Sequence, residues 1–133
     1  MNHSPRLQAL VLAERIYTDQ QSQNKIIAGT YNRLNVRELG GLCDLPGWLF
    51  ISLTDLRLPE LKLEIRYVDM SDLGVLFTIE TKVSHVVDPL QTLELVTQMP
   101  RFPVPHEGVY DLELYVDGER LGSHRITVAL QRP

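Results

Sequence analysis

One stretch decides the fold, and it reads Gly108-Val109-Tyr110-Asp111-Leu112-Glu113-Leu114-Tyr115-Val116-Asp117-Gly118-Glu119-Arg120-Leu121. Every second residue from Tyr110 to Val116 is apolar, with Asp111 and Glu113 between them, which is the period of a β-strand with one buried face. Asp117-Gly118 follows, and this pair favours a two-residue type I′ turn, whose central residues both need positive φ. The stretch therefore predicts a C-terminal Asp-Gly hairpin, with a β-bulge near Gly122-Ser123, where the apolar parity of the returning strand changes.

The same period of two recurs upstream of this hairpin. Apolar and polar residues alternate over 61–67, 75–79 and 92–95, where helical spacing would mix both kinds of residue on every face. A continuous apolar run, Trp48 to Leu53, is typical of a strand that is buried on both faces. These segments predict four more strands.

Two segments near the N-terminus are less regular. Residues 25–34 carry branched and aromatic side chains and predict a strand, as do residues 7–17. A helix remains the alternative for 7–17, because four of its residues fall at helical spacing, namely Ala9, Leu12, Ala13 and Ile16. In total, about eight short strands with short connections predict an all-β, antiparallel β-sandwich.

The chain contains no linker, repeat or low-complexity run that would divide it. We therefore predict a single domain over 1–133, with a flexible segment over 1–6. Two longer connections, 35–47 and 82–91, interrupt the pattern of short turns. Binding residues in sandwich proteins are often carried by such loops.

Composition excludes several classes of protein. The 133 residues include 13 Lys and Arg against 17 Asp and Glu, a formal charge of −4. Nucleic-acid binding needs clustered basic residues, but bases and acids alternate between Arg57 and Arg66, so we expect no nucleic-acid partner. No apolar run approaches the about 20 residues of a membrane helix, and residues 10–13 are too short for a secretion signal. We expect a cytoplasmic protein that does not contact a membrane.

Residues that could carry chemistry are scattered along the chain. Cys43 is the single cysteine and has no neighbouring base, and no Gly-x-Ser-x-Gly motif is present. The four histidines, at positions 3, 85, 106 and 124, offer no close pair that could begin a zinc site, and His85 is expected to be partly buried at a strand end. An enzymatic or metal-binding role would need at least two of five residues to converge, namely His85, His106, His124, Asp88 and Cys43. We predict no catalytic, cofactor-binding or metal-binding residue.

The tyrosines have different expected roles. Tyr67 and Tyr110 share the parity of core residues and are predicted to be interior, whereas Tyr115 points outward as a packing or interface residue. Tyr110 also stands near the start of the penultimate strand. In immunoglobulin-like sandwiches a tyrosine at this place turns its hydroxyl back to a nearby backbone group and closes the corner.

Motifs across most of the chain carry a family resemblance. They are Ala9 to Glu14, Ile26-Ile27-Ala28-Gly29-Thr30-Tyr31, Val87-Asp88-Pro89-Leu90, Phe102-Pro103, Gly108 to Leu114 and Asp117 to Leu121. Together they resemble a bacterial family of small stand-alone immunoglobulin-like β-sandwich proteins that has no assigned function. The resemblance implies a fold, and a fold by itself assigns no activity.

The sequence favours a non-enzymatic interaction or structural module. Self-association through a sheet face or an edge strand is the expected mode, because several apolar residues are predicted to point outward, namely Val68, Val96, Val109 and Tyr115. The alternative is a small-ligand or carbohydrate-binding sandwich that uses the 35–47 and 82–91 loops, with Tyr31 or Trp48 as a stacking surface. An enzyme or metalloprotein is the least favoured class.

Overall fold

The computed structural model describes residues 4–85, 87–88 and 90–132. They form nine strands: β1 (Arg6–Thr18), β2 (Lys25–Thr30), β3 (Arg33–Val36), β4 (Trp48–Thr54), β5 (Glu60–Asp69), β6 (Gly74–Ser84), β7 (Leu93–Gln98), β8 (Gly108–Val116) and β9 (Glu119–Leu130). None of these residues belongs to a helix long and apolar enough to cross a membrane. Of the segment predicted to be flexible, residues 1–3 lie outside the description, and β1 already begins at Arg6.

The strands are arranged in two sheets. One sheet has four strands in the order β2-β1-β4-β7, and the other has five in the order β3-β9-β8-β5-β6. All neighbouring strands are antiparallel except β3 and β9, which are parallel. The predicted all-β sandwich is confirmed, and the strand interpretation of residues 7–17 is correct.

The strand count needs one correction. Residues 25–34, predicted as a single strand, are divided between β2 and β3, which lie in different sheets. Gly29 has a φ of 74°, and the amide of Tyr31 donates to the carbonyl oxygen of Leu12 at 3.2 Å. The chain therefore stays bonded to β1 as it leaves the first sheet and crosses to the second.

The core lies between the inner faces of the two sheets. Its aromatic centre is Tyr67, whose ring lies 5.0 Å from that of Phe102 and 5.3 Å from that of Tyr110, measured between ring centroids. Both tyrosines are fully buried, as predicted. Aromatic pairs at these separations add to the stabilisation from burial.

A β-bulge between β5 and β6 overturns one predicted orientation. Tyr67 pairs with Phe77 and Val68 pairs with Val75, so Leu76 is an extra residue on β6. The bulge shifts the parity of β6, and Val75, expected from its alternation with Phe77 to face the core, is 50% exposed. Val68 is on the outer side as predicted, opposite Asp111 of β8, but it is only 4% exposed.

The C-terminal hairpin has the predicted geometry. Asp117 and Gly118 have φ values of 48° and 85°, as a type I′ turn requires. The bulge in the returning strand is at Leu121, because Leu114 pairs with Gly122 while Tyr115 pairs with Arg120. It lies one residue before the predicted position.

Candidate interaction surface

The outer side of the four-stranded sheet is apolar. Its register aligns Val11 of β1, Phe50 of β4 and Val96 of β7 in one row across the sheet, with Ala13 and Trp48 in the next row. We call these five residues, together with Ala9, the apolar face. Along β4, Trp48 and Phe50 alternate with Leu49, Ile51 and Leu53, which belong to the core. The apolar face is therefore on the side of the sheet opposite to the core.

The apolar face lies on the side of its sheet that is turned away from the five-stranded sheet. Phe50 is only 7% exposed but lies outside the core cluster, and Val11, Trp48 and Val96 are half-buried. The described residues form two sheets, and the five-stranded sheet covers the inner side alone. The prediction that β4 is buried on both faces is correct, because its central five residues, 49–53, are all buried.

The apolar surface extends along the β1–β2 ribbon. Tyr17 pairs with Ile26 across the two strands, on the same side of the sheet as Val11 and Ala13. These two side chains are 53% and 50% exposed. Large exposed apolar groups that continue a half-buried apolar face are typical of a contact surface.

The outer side of the five-stranded sheet has a different character. Arg66 pairs with Glu64 at 2.7 Å, Arg120 with Glu113 at 3.3 Å, and Arg125 with Asp111 at 3.4 Å. The guanidinium of Arg66 also stacks over the ring of Tyr115, 4.0 Å from its centroid. Three arginines of this face are thus paired with acids of the same chain, and the ring of Tyr115, which points outward as predicted, is covered by Arg66.

Three charged residues border the apolar face. Arg15 follows Ala13 by two residues on β1, Glu94 precedes Val96 by two residues on β7, and Arg6 pairs with Thr54 in the row beyond Ala9, so all three lie on the outer side. All three are exposed. None of them forms an ion pair with another described residue.

A cluster at the end of β5 was not predicted from the sequence. His106 Nε2 lies 2.5 Å from Asp69 Oδ2, and Nδ1 lies 2.6 Å from the carbonyl oxygen of Glu107. Ser71 Oγ donates to Asp69 Oδ1 at 2.8 Å. Because both ring nitrogens face acceptors, the doubly protonated imidazolium fits this position.

The two titratable groups of this cluster shift in opposite directions. The carbonyl of Glu107, and then the carboxylate of Asp69, raise the pKa of His106 above its ordinary value. Burial alone would raise the pKa of Asp69, but hydrogen bonds from Ser71 and His106 outweigh it and lower that pKa. The pair therefore acts as an ionic link between the β5–β6 turn and the segment before β8.

The other candidate residues are held apart from this cluster. His124 Nε2 lies 2.9 Å from the carbonyl oxygen of Tyr31, and His85 is half-buried just after β6, as expected. Cys43 is buried in the 35–47 loop, and His3 lies outside the described residues. Within the ranges that the structure covers, no group of three or more His, Cys, Asp or Glu side chains could hold a metal ion.

A cleft of about 730 Å³ opens beside the 35–47 loop. It is lined by residues of β3 and of that loop, with Val104 and Gln131. Tyr31, whose hydroxyl donates to the carbonyl oxygen of Pro46 at 3.0 Å, does not line it, and neither does Trp48. Described residues of the 82–91 loop are absent from it as well, so the aromatic ligand platform expected for a carbohydrate-binding sandwich is not formed there.

The strand arrangement defines an immunoglobulin-like sandwich. The core order β1-β4-β7 in one sheet and β9-β8-β5-β6 in the other matches strands A-B-E and G-F-C-C′ of that fold, and Tyr110 occupies the corner position at the start of strand F. A family model for a family of unknown function (DUF6941) matches residues 8–129, and the chain belongs to this family.

Similarity to individual proteins is distant. An immunoglobulin-like protein from Pseudomonas aeruginosa with a solved structure is 14% identical to this chain. The match covers 95% of this chain and 97% of that one, with a TM-score of 0.42. A search of curated proteins gave no significant match.

Proposed function

We propose that this protein is a non-enzymatic interaction module that binds a second copy of itself through the apolar face. The observation that carries the proposal is the apolar area that this outer side leaves in water. Val11, Trp48 and Val96 are only half-buried around Phe50, and Tyr17 and Ile26 beyond them are 53% and 50% exposed. An apolar cluster of this kind is stabilised further when a complementary apolar surface covers it.

A second copy is the occupant that fits this face. Two-fold association places the same patch on both partners, so an apolar centre meets an apolar centre. The charges of Arg15 and Glu94 have no partner among the described residues, are opposite in sign and lie at different ends of the face, so these two positions complement each other between two copies. On the opposite side of the sandwich Val75 is 50% exposed on the edge strand β6, but three arginines of that side are already paired with acids.

The size of the face predicts a weak dimer. Three strands about 4.8 Å apart and six residues of about 3.3 Å each give about 290 Å² per copy, and the Tyr17–Ile26 ribbon brings this to about 400 Å². The total of about 800 Å² is below the interval of about 1,200–2,000 Å² for stable complexes. Association is therefore expected to depend on concentration.

Sedimentation equilibrium of the full chain, from micromolar to millimolar concentration, tests this proposal. We expect a reversible monomer–dimer equilibrium that Val11→Lys and Val96→Lys abolish, since each places a charge in the apolar row. The matched control is Val109→Lys, a half-buried valine on the outer side of the other sheet, which should dimerise like the wild type. A wild-type protein that stays monomeric throughout, or equal loss of dimer in the control, would overturn the proposal.

A further inference from the structure

The register of the four-stranded sheet specifies how two copies meet. Building on the proposed self-association, we propose that a two-fold axis passes over the apolar face between Phe50 and Trp48. This axis brings Arg15 of each copy against Glu94 of the partner subunit. The dimer thus contains two identical intermolecular ion pairs, one at each end of its apolar centre.

The positions of the two charges follow from strand pairing. Ala13 pairs with Trp48, so Arg15 lies two residues beyond the Trp48 row. Glu94 pairs with Ser52, so it lies two residues beyond the Phe50 row in the opposite direction. Arg15 is on the strand to one side of β4 and Glu94 is on the strand to its other side.

These offsets place the midpoint between the two charges on β4. With strands about 4.8 Å apart and a rise of about 3.3 Å per residue, Arg15 and Glu94 are separated by about 10 Å across the sheet and about 20 Å along it. Their midpoint falls between Phe50 and Trp48, and each charge lies about 11 Å from it. A two-fold axis through this midpoint exchanges the positions of Arg15 and Glu94 between the two copies. Each charge then lies opposite a charge of the other sign.

Symmetry then determines which charges meet. In an isologous interface, if residue i contacts residue j of the partner, residue j contacts residue i. The axis lies in the plane of the interface and is perpendicular to the line from Arg15 to Glu94. Arg15 of each copy therefore faces the partner's Glu94 across the interface. Like charges remain apart, and both side chains are available because neither is ion-paired with a described residue of its own chain.

Charge reversal tests this geometry directly. Each copy of the dimer carries the substitution. Arg15→Glu therefore places two acids at each end of the interface and Glu94→Arg places two arginines there, so both intermolecular pairs become repulsive. We expect each single variant to weaken the dimer about tenfold or more in low salt. The double variant Arg15→Glu/Glu94→Arg restores opposite charges and should dimerise like the wild type.

Mixing the two single variants gives a sharper result. In a heterodimer of Arg15→Glu with Glu94→Arg, one copy presents two acids and the other two arginines, so both contacts are attractive. The mixture should therefore associate more tightly than either variant alone, which a misfolded variant could not produce. Arg37→Glu, an exposed arginine outside the four-stranded sheet, changes the net charge equally and should leave dimerisation unchanged.

The outcomes separate this inference from the proposed function. If Val11→Lys abolishes the dimer while the charge reversals and their mixture have no effect, self-association stands and the proposed axis is overturned. If the wild type is monomeric, the proposed function fails and this inference fails with it. Restoration in both the double variant and the mixture supports the axis.

Discussion

The phenol hydroxyl of Tyr110 donates a hydrogen bond to the carbonyl oxygen of His106, four residues earlier, at 2.7 Å. The amide of His106 donates back to the same hydroxyl oxygen at 3.3 Å. This is the tyrosine corner that the sequence predicts for the start of the penultimate strand. It fixes the path of the chain where it enters β8, the central strand between β9 and β5.

Tyr110→Phe removes both of these bonds from a fully buried position. We expect the free energy of unfolding to fall by about 1–3 kcal/mol, because the backbone groups of His106 lose their partner. Urea denaturation measures the change. Tyr17→Phe is the control, since Tyr17 is 53% exposed, and it should leave the midpoint unchanged. An unaltered midpoint in Tyr110→Phe would contradict a stabilising role for the corner.

The ion pair between His106 and Asp69 predicts how stability varies with pH. The folded pKa of His106 is raised, so its contribution is complete below the unfolded pKa of about 6.5 and is lost as pH rises through the folded value. The folded pKa of Asp69 is lowered, so its contribution is present above about 3.9 and is lost as pH falls through the folded value. Together they favour stability between about pH 4 and 6.5.

His106→Gln isolates this effect from the other titrating groups. Thermal unfolding of the wild type should show declining stability as the pH rises above neutrality, and the variant should show a smaller decline. His124→Gln is the comparison, because His124 bonds to the carbonyl oxygen of Tyr31 and has no ion pair with a carboxylate of the described residues. If the two variants and the wild type give parallel profiles, the His106 link does not contribute.

At Gly118 the free-energy cost of a positive φ can be measured separately from any steric overlap of an added side chain. Gly118 has a φ of 85°, and a Cβ built on it would meet no atom within 4 Å. Gly118→Ala should therefore lower the free energy of unfolding by about 1–2 kcal/mol through the backbone conformation alone. Gly41→Ala is matched, because its Cβ also meets open space but its φ is not positive. Chemical denaturation of both should show a loss at Gly118 only.

Local signals account for most of the fold. Alternation of polar and apolar residues locates the strands, and the Asp117-Gly118 pair specifies the hairpin, because both depend on neighbours in sequence. The bulge at Leu76 has no such signal. It depends on how β6 pairs with β5, so the exposure of Val75 follows from that register.

The apolar face also depends on contacts between strands that are distant in the sequence. The apolar run of β4 predicts burial on both faces, but Val11 and Val96 join Phe50 only once β1 and β7 are aligned beside it. Asp69 and His106 are likewise separated by 37 residues and meet only in the fold. Sequence spacing locates residues within one element, whereas these contacts join elements that are distant along the chain.

The hydroxyl of Ser52 gives a further test of the outer side of β4. Ser52 is 1% exposed, and its Oγ has no hydrogen-bond partner among the described residues. An unsatisfied buried hydroxyl costs about 1–3 kcal/mol, so Ser52→Ala should leave stability unchanged or raise it by about 1 kcal/mol. Thr54→Ala, at the half-buried end of the same strand, serves as the comparison in urea denaturation. A clear loss of stability in Ser52→Ala would mean that the hydroxyl is bonded in solution.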